Sequence, residues 1–264
     1  METTTSLDGT TVGYRVVGDG PLGVVLVHGW SCTGNAWNTV VDELPTAGRR
    51  YVLPDLRGHG SSAGEGLEHS VKRYAEDVLA AANAAGLDRF VTIGHSMGAK
   101  YAQYIRVLAG DRVLGYVGVA PTPSSTVDEE ADEDTIAWMS GGAGSPEAFV
   151  GIQNYITKEP LPEHVLRPAV QEASTLTSEV LAGSMRAFAT ADFTDELAHA
   201  PQVPALIIGG TADPFYPPNV LELRIAIENP GARLAVLDYG HDLPRECPAE
   251  VAALIDQFLI DLTQ

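Results

Sequence analysis

Sulfur and positive charge are both scarce in this chain of 264 residues. Two cysteines, Cys32 and Cys247, are too few for a disulfide framework, so a small scaffold stapled by sulfur is excluded. Sixteen Lys plus Arg stand against 35 Asp plus Glu, and the formal charge of −19 repels nucleic acid and anionic membrane surfaces. Neither is expected as a partner. No apolar run approaches the roughly 18 residues that cross a bilayer. The opening METTTSLDGT lacks the basic start and the apolar stretch of a secretory signal, which makes the cytoplasm the expected location. What remains is an ordinary globular composition, 45% hydrophobic and 19% charged, in a chain long enough for one large α/β domain with its own core or for two small ones.

Along the chain, TTTSL and TVGYRVV flank the pair Asp8-Gly9 and read as an antiparallel hairpin. The pattern then changes to short continuous apolar runs. GVVLV (23–27), YVLPDL (51–56), FVTI (90–93), LGYVGVA (114–120), ALII (205–208) and LAVLD (234–238) are candidates for strands buried on both faces. Helical periodicity separates most of them: Val71, Tyr74, Ala75, Val78, Leu79 and Ala82 form one such stripe, and Val251, Leu254, Ile255, Phe258 and Leu259 another. This alternation predicts an α/β fold, a mostly parallel central sheet with helices on both faces. Residues 122–200 break it. They hold the helical stretches PEAFVGIQNYI and VLAGSMRAFA but no convincing strand, so the expected organisation is a core of 1–121 and 201–264 with a helical lid inserted at 122–200. The acidic run DEEADED (128–134) lacks His and calcium-loop spacing, and reads as a solvated face rather than a metal site.

The spacing Gly-x-Ser-x-Gly occurs twice, around Ser62 in GSSAG and around Ser96 in GHSMG, so letters alone do not choose between them. Context does. Ser96 follows the strand candidate FVTI and precedes Met97, Tyr101, Tyr104, Ile105 and Leu108 at helical spacing, whereas Ser62 lies in a Gly- and Ser-rich loop. A serine hydroxyl needs a general base, usually a histidine oriented by a carboxylate. His241 stands in a loop after the last strand candidate and Asp213 in a loop after the preceding one. Both therefore come to the sheet edge that carries Ser96. Asp238 and Asp242, which flank His241, are rivals to Asp213.

At these residues the sequence resembles the α/β-hydrolase superfamily, in which the triad runs in the order Ser, Asp, His. The resemblance rests on VLVHGW (25–30), PDLRGHGSS (54–62), GHSMG (94–98), GGTADP (209–214) and GHD (240–242). It implies that Ser96 is the nucleophile, His241 the base and Asp213 its orienting acid, with the backbone N–H groups of Trp30 and Met97 as oxyanion hole. It implies a serine hydrolase of carboxylic esters or lactones that needs no metal or organic cofactor. Carbon–carbon bond hydrolysis, perhydrolysis, cofactor-free oxygenation and a small-molecule receptor role are the alternatives on the same scaffold. An apolar lid and the negative charge suggest small to medium, neutral and largely apolar substrates.

Of the aromatic residues in and near the lid, Trp138, Phe149, Phe188 and Phe215 are the candidates for substrate contact. His28, His59 and His95 read as structural hydrogen-bonding groups and His69, His164 and His199 as surface residues. Asp55 and Arg57 read as a loop-locking pair, and Cys32 as a small buried filler. Composition leaves the oligomeric state open.

Overall fold

The Val-, Ile- and Leu-rich runs become strands because β-branched side chains pack well on a pleated surface. The computed structural model, which describes residues 1–62, 64, 66–127 and 132–263, joins them in one eight-stranded sheet. The strands are β1 (Glu2–Thr5), β2 (Thr11–Val17), β3 (Leu22–Val27), β4 (Arg49–Pro54), β5 (Phe90–His95), β6 (Val113–Val119), β7 (Ala205–Gly210) and β8 (Arg233–Leu237). Their order is β1-β2-β4-β3-β5-β6-β7-β8, antiparallel from β1 to β4 and parallel from there to β8. The turn between β1 and β2 holds Gly9 at φ +90°, as the Asp-Gly pair leads one to expect.

Alternation along β3 divides the core in two. Val25 and Val27 face a cluster with Tyr74, Val78, Tyr101 and Ile105, from α2 (Val71–Ala84) and α3 (Met97–Ala109). Val24 and Leu26 face the opposite cluster with Val41, Val251, Ile255 and Leu259, from α1 (Asn38–Glu43) and a C-terminal helix (Pro248–Asp261). Strands buried on both faces have no polar side to alternate with, which is why they read as unbroken apolar runs.

Between β6 and β7 the described residues form five helices, α4 (Glu133–Ser140), α5 (Pro146–Ile156), α6 (Glu163–Ala173), α7 (Ser178–Thr190) and α8 (Thr194–His199). Side-chain caps fix several of their starts: Ser145 accepts from the Ala148 N–H before α5, and Thr177 from the Val180 N–H before α7. They share a small core of Phe149, Val170, Ala173, Leu176, Val180 and Leu181. The wholly buried Lys100 on α3 donates to the carbonyls of Ser125, Phe188 and Ala191, so an ammonium caps the end of α7. After β7 come α9 (Pro218–Glu228), α10 (Leu243–Glu246) and α11, the C-terminal helix. No described helix is long and apolar enough to cross a membrane.

Two expectations change in detail. Asp55 and Arg57 do lock loops, but not as a pair. Asp55 accepts from the Gly34 and Ser61 amides and the Ser61 hydroxyl, while Arg57 takes Asp77 through two bonds of 2.7 Å and Asp8 at 3.0 Å. Of the acidic run, 128–131 lie outside the described residues; Asp132 caps α4 by accepting from the Asp134 and Thr135 amides. Among the described residues no group of His, Cys, Asp and Glu is placed to hold a metal.

Candidate active site

Ser96 sits on the turn from β5 to α3 at φ 53°, ψ −124°, a conformation that costs a non-glycine residue about 1–3 kcal/mol. Its glycine neighbours make the turn possible. A Cβ on Gly94 would lie 2.4 Å from the Ala99 Cα, and one on Gly98 would lie 2.3 Å from the His28 carbonyl oxygen. Helix α3 can therefore start hard against β5 and against the loop that follows β3. The other serine with this spacing, Ser62, is buried in a 3-10 turn, where its hydroxyl donates to the Asp55 carbonyl and accepts from the Gly13 N–H. It is a structural hydroxyl.

His241, Asp213 and Ser96 come from three different strand ends and meet. His241 Nε2 lies 2.9 Å from Ser96 Oγ, and Nδ1 lies 2.8 Å from Asp213 Oδ2. Because a carboxylate only accepts, Nδ1 carries the proton and donates to Asp213, which leaves Nε2 free to accept from the serine hydroxyl. The loop is held by its backbone, since the His241 N–H donates to the Ile156 carbonyl at 2.7 Å. Asp213 Oδ1 accepts from the Phe215 and Tyr216 amides. Burial by itself pushes the Asp213 carboxyl up, but the imidazole beside it and those two amides outweigh burial and lower it below the usual carboxylate range.

Neither rival carboxylate reaches the ring nitrogen. Asp238 pairs with Lys158 at 2.6 Å and accepts from the Thr211 hydroxyl. Asp242 pairs with the buried Arg245 at 2.8 Å. The remaining histidines divide. His28 accepts from the Leu56 N–H, His59 bonds the Arg57 carbonyl, and His95 Nε2 donates to the His241 carbonyl at 2.9 Å. Burial lowers all three, His59 to about 3 and His95 to about 4, so they stay neutral. His164 and His199 are exposed. His69 is not the surface residue expected: it is half-buried, bonds the Tyr74 hydroxyl at 2.6 Å and packs on Gly183 of α7. A single His in a polar stretch carries no periodic signal of such packing.

The loop after β3 brings Trp30 beside the start of α3, and its indole N–H is tied to the Leu181 carbonyl of α7 at 3.0 Å. Met97 opens α3, so its amide is one of the four that a helix start cannot satisfy within itself. Above Ser96 and His241 opens a cavity of about 1490 Å³, whose wall includes Trp30, Trp138, Phe188 and Phe215. Phe149 is absent from that wall. The sequence singles it out as a pocket aromatic, but it turns inward on α5 to fill the small core with Val170 and Leu181. Helical spacing does not tell which side of an inserted helix faces a ligand. Cys32 is buried as expected and also reaches the cavity, with its thiol 3.6 Å from the Arg245 guanidinium. Burial raises that thiol, which keeps it protonated.

The sequence model of the alpha/beta hydrolase family matches residues 24–254. The chain belongs to the alpha/beta hydrolase family. This hydrolase is 29% identical over 252 residues to a non-heme haloperoxidase of Rhodococcus erythropolis, covering 89% of this chain and 90% of that protein. It is 27% identical over 267 residues to a bifunctional esterase/perhydrolase of Acinetobacter calcoaceticus, covering 91% and 92%. Among solved structures, an esterase from Exiguobacterium antarcticum superposes with a TM-score of 0.87 over 98% of both chains. At 21% identity, that last likeness speaks for the fold.

Proposed function

We propose that this alpha/beta hydrolase cleaves carboxylic esters, lactones included, through an acyl-enzyme on Ser96. The observation that carries the reading is the chain of contacts Ser96 Oγ, His241 and Asp213, at 2.9 and 2.8 Å, opening on a large cavity. In this reading Ser96 Oγ attacks the ester carbonyl while His241 Nε2 takes its proton. Asp213 stays ionised, holds the imidazole in the Nδ1–H tautomer and stabilises the cation that forms. The Trp30 and Met97 amides receive the oxyanion, and loss of one such donor typically costs about 2.7–4 kcal/mol of transition-state stabilisation. His241 then returns the proton to the departing alcohol. Water enters, is deprotonated by the same nitrogen and releases the acid.

Residues 122–200 act as a lid over this centre. Trp138, Met139 and Phe188, which line the cavity, all belong to that segment. The esterase/perhydrolase relative supports the same chemistry. The test is Ser96→Ala, assayed on para-nitrophenyl esters of graded acyl length alongside labelling by a fluorophosphonate. Turnover should fall by at least about 10³-fold and labelling should vanish. Labelling of the variant at the wild-type rate would mean that another residue is the nucleophile.

A further inference from the structure

Among the described residues, the cavity wall holds three charged side chains, Asp242, Arg245 and Arg224. Two of them cancel, because Arg245 pairs with Asp242 at 2.8 Å. Arg224 is different. It lies one turn beyond Val220 on α9, both residues line the cavity, and it donates to the Ser125 hydroxyl at 3.1 Å. Among the described residues no carboxylate comes within ion-pair distance of it. Glu228, one turn further along α9, gives its Oε1 to the Ser124 N–H at 2.9 Å; burial raises that carboxyl, and the charge of Arg224 lowers it only in part. In a chain with a formal charge of −19, the described residues that line the chamber around Ser96 thus carry a net positive charge.

We propose that Arg224 receives a carboxylate of the substrate, so that the ester cleaved is a half-ester of a dicarboxylic acid, largely apolar between its two ends. This rests on the ester-hydrolase reading and revises the expectation of neutral substrates, which took the charge of the whole chain as a guide to the pocket. A guanidinium with unused donors matches a carboxylate two bonds at a time, as a lysine would not. A short stretch of chain connects the two groups. The Thr122 N–H donates to the Ser96 carbonyl at 3.3 Å, and Ser125, the partner of Arg224, is only three residues further. Three extended residues span at most roughly 11 Å, so Arg224 is tied to the neighbourhood of Ser96, and both line the same cavity.

The experiment compares two para-nitrophenyl esters: the monoester of adipic acid, and an ester of the same length in which an isopropyl group replaces the free carboxylate. For the wild type, kcat/KM for the anionic ester should exceed that for its isostere by about tenfold or more, and the ratio should shrink as salt is raised. Arg224→Gln should lower the ratio about 10- to 100-fold, mainly through KM of the anionic ester, and Arg224→Lys should recover part of it. A merely structural arginine would lower both activities together and leave the ratio where it was. A wild-type ratio near one, or a ratio that Arg224→Gln does not move, overturns the proposal. Adipate should also inhibit wild-type hydrolysis of the neutral ester competitively and more strongly than hexanoate; equal inhibition by the two counts against the proposal even if the variants fail to fold. Should the wild type cleave neither ester, the ester-hydrolase reading fails by itself. Calorimetric binding of adipate to wild type and Arg224→Gln then still decides the role of Arg224.

Discussion

Asp213 follows β7 while Asp238 and Asp242 flank His241 after β8, and geometry separates the three. Asp213 is held from behind by two amides, which aim its second oxygen at the ring; Asp238 is drawn outward to Lys158, and Asp242 is bound to Arg245. Asp213→Asn should therefore lower kcat on a para-nitrophenyl ester by about 10³- to 10⁴-fold, because an amide lets the imidazole take the wrong tautomer. Asp238→Asn, at an exposed side chain, should leave kcat within about twofold, and a steady-state assay of the pair checks both. The positions of Ser96, Asp213 and His241 were legible because each follows a strand, and strand ends of a parallel sheet gather on one edge. Phe149 and Arg224 were not. Whether a side chain on a helix faces a cavity or a core depends on how that helix is rotated, which local spacing does not encode.

Elements follow the same division. All six apolar runs became parallel-sheet strands, with ends shifted by one or two residues, and the stretches around Phe149 and Met185 became helices α5 and α7. Helix α6 escaped notice because Pro168 lies inside it, and α9 because it follows the turn-like Pro214-Phe215-Tyr216-Pro217. What joins elements also lies outside sequence reading. Arg57, wholly buried, links the loop after β4 to α2 through Asp77 and to the β1–β2 turn through Asp8. Burial opposes its charge, and the two carboxylates more than restore it. Asp77→Ala would leave that guanidinium buried without its main partner. It should destabilise the fold by about 3–5 kcal/mol, read from the midpoint of urea unfolding.

For the molecule as a whole, buried neutral histidines set the response to acid. The unfolded chain takes up protons on His28, His59 and His95 near the ordinary value of 6.5, whereas in the folded chain burial lowers all three, His95 to about 4 and His59 to about 3. Below pH about 6.5 the unfolded state binds more protons, so stability is full above that value and is lost as pH falls toward about 4. Glu228 and Glu246, raised by burial, oppose this in part. The melting temperature should fall steadily from pH 7 to pH 4.5 in scanning calorimetry, and a flat profile would show that these rings do not resist protonation.

The bond from the His241 amide to the Ile156 carbonyl has a mechanical consequence. The loop that carries His241 is joined to the last turn of α5, and a Cβ on the adjacent Gly240 would lie only 2.4 Å from that same carbonyl oxygen, so the two backbones meet in close contact. Were α5 to swing outward to admit a guest, the imidazole would be pulled with it and the proposed relay would be broken. An opening that keeps Ser96 and His241 in contact must therefore leave the last turn of α5 in place. Any widening of the cavity mouth that preserves the proposed relay thus leaves this wall standing.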